Sequence, residues 1–136
     1  MGVEKIEPGA RVRRRLENDQ VIWLTTAGRQ GRPHSVPVWF LWDGESFLVY
    51  SVPGRKVDDI RANPLVELHL NTDRSGDFVV RFEAEVEIIS DPTPANRVPK
   101  YLSKYREQIK GFGWTAKYFA ETYRVALRIR PTRMRA

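Results

Sequence analysis

Between Val79 and Ile89 the chain alternates without a break. Val80, Phe82, Ala84, Val86 and Ile88 fall on one side, and Arg81, Glu83, Glu85 and Glu87 on the other. Period two sends successive side chains to opposite faces, so this segment predicts a half-buried strand of an antiparallel sheet. The last segment reads the same way, Tyr123, Val125, Leu127 and Ile129 alternating with Arg124, Ala126, Arg128 and Arg130. Runs rich in β-formers predict further strands over Val21 to Thr26, Ser35 to Trp42, Phe47 to Val52 and Leu65 to Leu70. Within Ser35 to Trp42, Val36, Val38, Phe40 and Trp42 share one face and Pro37, Trp39 and Leu41 the other, so both faces are expected to be covered.

Between these strands the period changes. Gly9 to Asn18 carries charge at most positions and predicts a short exposed helix. In RKVDDIRANP, Val57, Ile60 and Arg61 are spaced helically, and Asn63-Pro64 stops the helix because the residue before a proline avoids the α region. From Pro94 to Gly111, Val98, Tyr101, Leu102, Tyr105 and Ile109 recur at three and four, and a second short helix is expected over Thr115 to Glu121, both packing on the sheet. AGRQGRP, Asp43-Gly44 and Pro53-Gly54 mark turns. About six short strands joined mostly by hairpins, with one helical insertion, point to an antiparallel barrel rather than a doubly wound sheet. GxGxxG and GxxxxGK[ST] are both absent.

Length adds a bound: 136 residues without repeat or linker predict one domain over 1–136, and 41% hydrophobic residues suffice for a core without staples. There is no cysteine, which excludes thiolate metal sites, iron–sulfur clusters and cysteine nucleophiles and fits a cytoplasmic setting. With only His34 and His69, a multi-histidine metal site cannot be built from one chain, so no metal is expected. The N-terminus has no apolar leader, the longest apolar stretch is far below a membrane span, and Gly2 fails the myristoylation motif because residue 6 is Ile. No membrane association is expected. Twenty-three Lys plus Arg against 17 Asp plus Glu leave +6, which favours anionic partners, either phosphorylated cofactors or nucleic acid.

Two stretches carry candidate chemistry. In YSVPGRK, Ser51, Arg55 and Lys56 are expected to converge where a strand meets a helix start, whose free N–H groups and partial positive charge suit a phosphate. The same stretch also reads as a solvated basic turn. In GRPHSVPVWF, Pro37 inside a strand-like run requires an edge or a bulge, leaving backbone groups free to meet a planar ligand; an ordinary edge strand is the plainer reading. His34 and His69 read as surface or structural residues. Nothing resembles GxSxG, which disfavours a hydrolase. The glutamates at 83, 85 and 87 lie about 7 Å apart on one strand face, suited to pairing with Arg128 and Arg130 rather than to acid–base work. No catalytic side chain is identified.

The succession VIWLTTAGRQGRPHSVPVWFLWDG, FLVYSVPGRKVDDIRANPLVELHL, RFEAEVEII and PTRMRA resembles the pyridoxamine 5′-phosphate oxidase-like family, specifically its small branch of oxidoreductases that depend on the deazaflavin coenzyme F420. The likeness spans almost the whole chain. It implies a mostly β, six-stranded antiparallel split β-barrel with short flanking helices, an FMN-binding-like fold, and a homodimer with cofactor clefts at the interface. It further implies that Arg55 and Lys56 hold the tail phosphate with help from Ser51, and that His34, Ser35, Val36, Pro37 and Val38 line the ring system, largely through backbone, with Trp39 nearby. The longer C-terminal substrate-binding region of true pyridoxamine phosphate oxidases is missing, so that activity is not expected.

In such enzymes the cofactor supplies the hydride, and no side-chain acid is required. The expected activity is hydride transfer from reduced F420 to an electron-poor conjugated small molecule, in a pocket including residues such as Trp114, Tyr118 and Phe119. FMN is the alternative cofactor. A non-catalytic flavin or haem carrier of the same fold is the alternative function, and a basic nucleic-acid-binding barrel using Arg124 to Arg135 ranks last, so no nucleic-acid partner is expected.

Overall fold

The computed structural model describes residues 6–136; Gly2 lies outside them. Seven strands form one antiparallel sheet: β1 (Ile22–Ala27), β2 (Pro33–Val38), β3 (Leu41–Trp42), β4 (Phe47–Ser51), β5 (Leu65–Leu70), β6 (Arg81–Ile88) and β7 (Val125–Arg135). Four helices flank it: α1 (Ala10–Asn18), α2 (Arg55–Ala62), α3 (Pro99–Gly111) and α4 (Ala116–Thr122), with a short 3₁₀ turn at Ala95–Arg97 ahead of α3.

The strand order is β2-β1-β5-β6-β7-β4-β3, so two strands adjacent in sequence occupy opposite edges. Only Trp39 and Phe40 separate β2 from β3. Three Cα–Cα steps reach about 11 Å at most, so the edges must approach each other and the sheet curls into a half-barrel. This corrects the expected six strands to seven: the predicted Ser35–Trp42 strand is two short strands on opposite edges. Pro37 sits on the edge strand, where its missing N–H breaks no ladder.

Where the ladder ends, Tyr105 takes over. Its Oη accepts from the Phe40 N–H at 2.8 Å, and its one proton faces the carbonyls of Gln20 at 2.7 Å and Phe40 at 3.0 Å. Lys104 Nζ also donates to the Phe40 carbonyl at 2.9 Å and lies 3.7 Å from the centre of the Phe40 ring. Two side chains from α3 thus meet the backbone groups that would otherwise be buried unpaired.

Alternation divides the apolar residues between two cores. Inside the curl, Ile22, Leu24, Val38, Phe40, Phe47, Val49, Leu68, Phe82 and Leu127 pack together, with Val12 and Leu16 of α1 and Ile60 of α2 closing the ends. Outside it, Tyr50 and Ala126 meet Tyr101, Tyr105, Ile109 and Phe119 of α3 and α4, with Trp39, Leu41 and Leu48 packed against them. The segment over residues 35–42 is therefore covered on both faces at Val38 to Trp42, while Pro37 remains exposed.

The Asp43-Gly44 turn forms as expected, Asp43 Oδ1 accepting from the N–H groups of Glu45 at 2.8 Å and Ser46 at 2.7 Å. Arg130 pairs with Glu87 at 2.9 Å, whereas Arg128 reaches Asp43 at 3.3 Å rather than the acidic strand. Among the described residues no helix is long and apolar enough to cross a membrane.

Candidate functional site

β4 ends at Ser51, the chain breaks at Pro53-Gly54, and α2 begins at Arg55. Ser51 is fully buried; its Oγ donates to the Val52 carbonyl at 2.8 Å and accepts from Lys56 Nζ at 2.7 Å. The remaining ammonium protons have no hydrogen-bond partner among the described residues. Burial holds the Lys56 pKa below the usual lysine value, because desolvation disfavours the ammonium. Gly54, the N-cap, offers no side-chain acceptor, so the first-turn amides of α2 stay open. Two cations at this end stand against the helix dipole, at about 0.3–1 kcal/mol each for an exposed group. An anion seated there reverses that balance.

The two cations look into different spaces. Lys56 lines a cavity of about 240 Å³ whose other walls are Pro37, Val38, Trp39, Tyr50, Tyr101, Phe112, Trp114, Phe119 and Tyr123. Trp39 stacks on Tyr105 at 4.6 Å and on Phe119 at 5.5 Å, and Phe112 stacks on Trp114 at 4.8 Å, so most of the lining is flat aromatic surface. Arg55 instead lines an open cleft of about 520 Å³ with Gly28, Arg29, Gln30, Arg32 and Asp59. Its Nε is 3.8 Å from Asp59 Oδ2, which also accepts from Thr26 Oγ1 at 2.9 Å. A Cβ at Gly28 would meet the Asp59 carboxylate, so a larger residue there would have to push that side chain aside.

Of the predicted site residues, Ser51 and Lys56 meet, and Pro37 and Val38 line the cavity with Lys56, while Ser51 stays behind the lysine, outside the lining. His34, Ser35 and Val36 do not line it. Ser35 Oγ is hydrogen-bonded to Thr25 Oγ1 on the neighbouring strand, Val36 packs against the inner core, and His34 Nδ1 is buried without a partner among the described residues. Trp114 and Phe119 line the cavity, while Tyr118 is half exposed and stands outside that lining. His69 stacks on Trp23 at 6.2 Å, a structural contact. No group of three or more metal-ligating side chains occurs among the described residues.

Tyr101 is the residue that sequence reasoning passed over. It is fully buried, yet its Oη has no hydrogen-bond partner among the described residues. Desolvation drives its pKa far above the ordinary tyrosine value, so the phenol stays protonated and keeps a proton to donate. An unsatisfied buried hydroxyl costs about 1–3 kcal/mol. In the sequence Tyr101 is one member of a helical stripe that reads as packing; nothing marks its hydroxyl as unpaired.

Residues 9–136 match the family profile described as pyridoxamine 5′-phosphate oxidase. The chain belongs to that family. Among solved structures, the conserved hypothetical protein Rv2991 from Mycobacterium tuberculosis superposes with a TM-score of 0.74 at 22% identity, over 99% of this chain and 87% of that one. A structure named as an F420 reductase has a TM-score of 0.66 at 25% identity, over 88% of this chain and 92% of that one. HutZ, a haem storage protein from Vibrio cholerae, has a TM-score of 0.65 at 16% identity, over 98% and 92%. No curated protein matches the sequence.

A pyridoxamine 5′-phosphate oxidase-family barrel thus carries both spaces at the start of α2, the aromatic one walled in part by α3 and α4. Lys56, held by Ser51, brings hydrogen-bond donors to one wall of the aromatic cavity. Three of the five arginines between Arg124 and Arg135 are engaged in ion pairs, Arg128 with Asp43, Arg130 with Glu87 and Arg133 with Glu83.

Proposed function

We propose that this chain is an oxidoreductase that uses reduced coenzyme F420 to reduce an electron-poor conjugated small molecule. One observation carries the reading: a partly desolvated lysine, bonded to a buried serine at an uncapped helix start, opens into an aromatic cavity. These donors fit a phosphate, and the aromatic walls beyond them fit a ring system. The 25% identity to an F420 reductase supports the deazaflavin over FMN.

On this reading Lys56 holds the tail phosphate directly, Ser51 assists by fixing the ammonium from behind, and Arg55 adds positive potential from the neighbouring cleft. The edge strand β2, from His34 to Val38, offers backbone groups left unpaired on its outer side to the ring. Trp39, Trp114 and Phe119 exclude water from the reacting faces. When bound, the reduced deazaflavin supplies the hydride. Two copies meet as a homodimer, the second chain covering the β2 edge.

The second reading is a flavin or haem carrier. The fold it shares with HutZ favours it, as does a cavity whose only ionisable side chains among the described residues are Lys56 and three tyrosines. Titrating the purified chain with oxidised F420, FMN and haem, followed by fluorescence or absorbance, separates the cases. The proposal expects saturable F420 binding and reoxidation of reduced F420 by an added conjugated acceptor. Binding of FMN or haem alone, or no turnover with any acceptor, rejects it.

A further inference from the structure

Phe112 is the exception among the rings that line the aromatic cavity. It is 61% exposed, whereas Tyr50, Tyr101 and Phe119 are buried and Trp39, Trp114 and Tyr123 are partly so. A ring left this far in water gains little from packing, so the core does not account for its place at the cavity wall. It caps the C-terminal end of α3 between Gly111 and Gly113, and at both glycines there is open space where a side chain would start. It stacks on Trp114 at 4.8 Å and lies 6.3 Å from Trp39, tilted by 33°.

Trp39, by contrast, is held. Its indole stacks on Tyr105 at 4.6 Å and on Phe119 at 5.5 Å, and the backbone of the next residue, Phe40, is bonded to Tyr105 and Lys104. Trp39 and Phe112 are therefore two walls of one cavity, the first fixed by its neighbours and the second with room to yield. A flat ring held between them, in contact with each at about 3.5–4.0 Å, sets the two about 7–8 Å apart. The present 6.3 Å falls short by about an ångström, which an outward swing of Phe112 supplies. The cavity of about 240 Å³ has the size for this, since about 150 Å³ accepts benzene. Both walls present electron-rich faces, because the quadrupole of an aromatic ring is negative above and below its plane. An electron-poor ring carries the opposite distribution and stacks face to face on them, and Lys56 in the same lining disfavours a cation.

We propose that Phe112 is the specificity-determining outer wall of a clamp whose inner wall is Trp39, and that the clamp takes a flat, uncharged, electron-poor ring between the two. That such a ring belongs to the hydride acceptor rests on the function proposed above; the clamp itself does not depend on it. The exposed ring is then a surface of the free protein that ligand binding covers.

The test compares hexafluorobenzene with benzene, two rings of similar shape and opposite quadrupole, on wild type, Phe112→Leu and Phe112→Trp, with binding followed by fluorine and proton NMR. Wild type is expected to prefer hexafluorobenzene. Leucine keeps apolar bulk without an aromatic face, so the ratio of the two affinities should fall by roughly two- to ten-fold in Phe112→Leu and be retained in Phe112→Trp. Because the side chain is largely exposed, both variants should melt within about two degrees of wild type. Absence of binding of both probes, or a ratio unchanged in Phe112→Leu, overturns the proposal. So does a fall of several degrees in melting temperature, which would make the ring a packing residue. Titration of the same samples with F420 and FMN separates this failure from that of the cofactor reading. Wild type that takes hexafluorobenzene but neither cofactor keeps the clamp and rejects the cofactor, whereas weaker F420 binding by Phe112→Leu assigns the ring to the cofactor and overturns the clamp.

Discussion

Arg55 and Lys56 are neighbours in sequence, yet they serve two regions built on opposite principles. Consecutive helical residues point about 100° apart, so the first turn of α2 sends Lys56 into a partly enclosed aromatic cavity and Arg55 into a more open cleft with two more arginines. In the cavity the lysine is partly desolvated and hydrogen-bonded to a buried serine; in the cleft the arginine is half exposed and 3.8 Å from Asp59. A basic dipeptide at a helix start is therefore not one bidentate anion clamp. Its two charges have different surroundings and different energetic weight, and the lower dielectric around Lys56 makes each interaction there stronger.

The largest contrast should appear in stability. Phe119→Ala removes a fully buried ring stacked on Trp39, Trp114 and Tyr123, and should cost about 3–5 kcal/mol in urea unfolding. Arg32→Ala in the open cleft should stay within about 0.5 kcal/mol. Equal costs would erase the distinction between a packed wall and a solvated one.

Next in size is the closure of the barrel. Tyr105→Phe leaves the Phe40 N–H and the Gln20 carbonyl without the hydroxyl they share, and should lower stability by about 1–3 kcal/mol by the same assay. Comparison with Tyr101→Phe makes it sharper: two tyrosines one helical turn apart, one with a fully used hydroxyl and one with an unused one, should respond with opposite or unequal sign. A neutral Tyr105→Phe would break this part of the account.

The smallest effect concerns Lys104, whose pKa burial lowers to about 8. A lysine that is harder to protonate in the folded state than in the unfolded one binds fewer protons when folded, so stability rises with pH between about 8 and the unfolded lysine value near 10.4. Below pH 8 the penalty is fully present. Urea midpoints of wild type should therefore climb from pH 8 to 10 relative to Lys104→Met, measured as a difference so that other groups cancel. Parallel curves would mean that the Phe40 carbonyl and ring already compensate the lost hydration of the ammonium.

How far the sequence reaches follows from the kind of signal each feature leaves. Period-two alternation over residues 79–89 and 123–130 places β6 and β7 correctly because β6 has one face in the core, while β7 keeps Leu127 and Ile129 on the inner face against Arg128 and Arg130 on the other, even though Ala126 joins the outer core. The run over residues 35–42 misleads because from Val38 onward both faces are covered, by different cores, and nothing in the pattern betrays the break at Trp39-Phe40 where the chain leaves one sheet edge for the other. Ser51 and Lys56 were legible as a pair because a strand end and a helix start fix their separation. The divergence of Arg55 was not, since rotation about a helix axis says nothing of which neighbouring loop, here Gly28 to Arg32, will be there to meet it. Tyr101 was hidden by its own packing.

The account stands on Lys56 holding the anionic tail of a tricyclic redox cofactor at the mouth of the aromatic cavity. Its most direct test is the dissociation constant for oxidised F420, and for FMN in parallel, of wild type, Lys56→Ala and Arg55→Ala. Loss of a charge-assisted hydrogen bond of about 1.5–3 kcal/mol predicts at least roughly ten-fold weaker binding for Lys56→Ala and a clearly smaller loss for Arg55→Ala. Unchanged affinity in Lys56→Ala, or no binding of either cofactor by wild type, would contradict it.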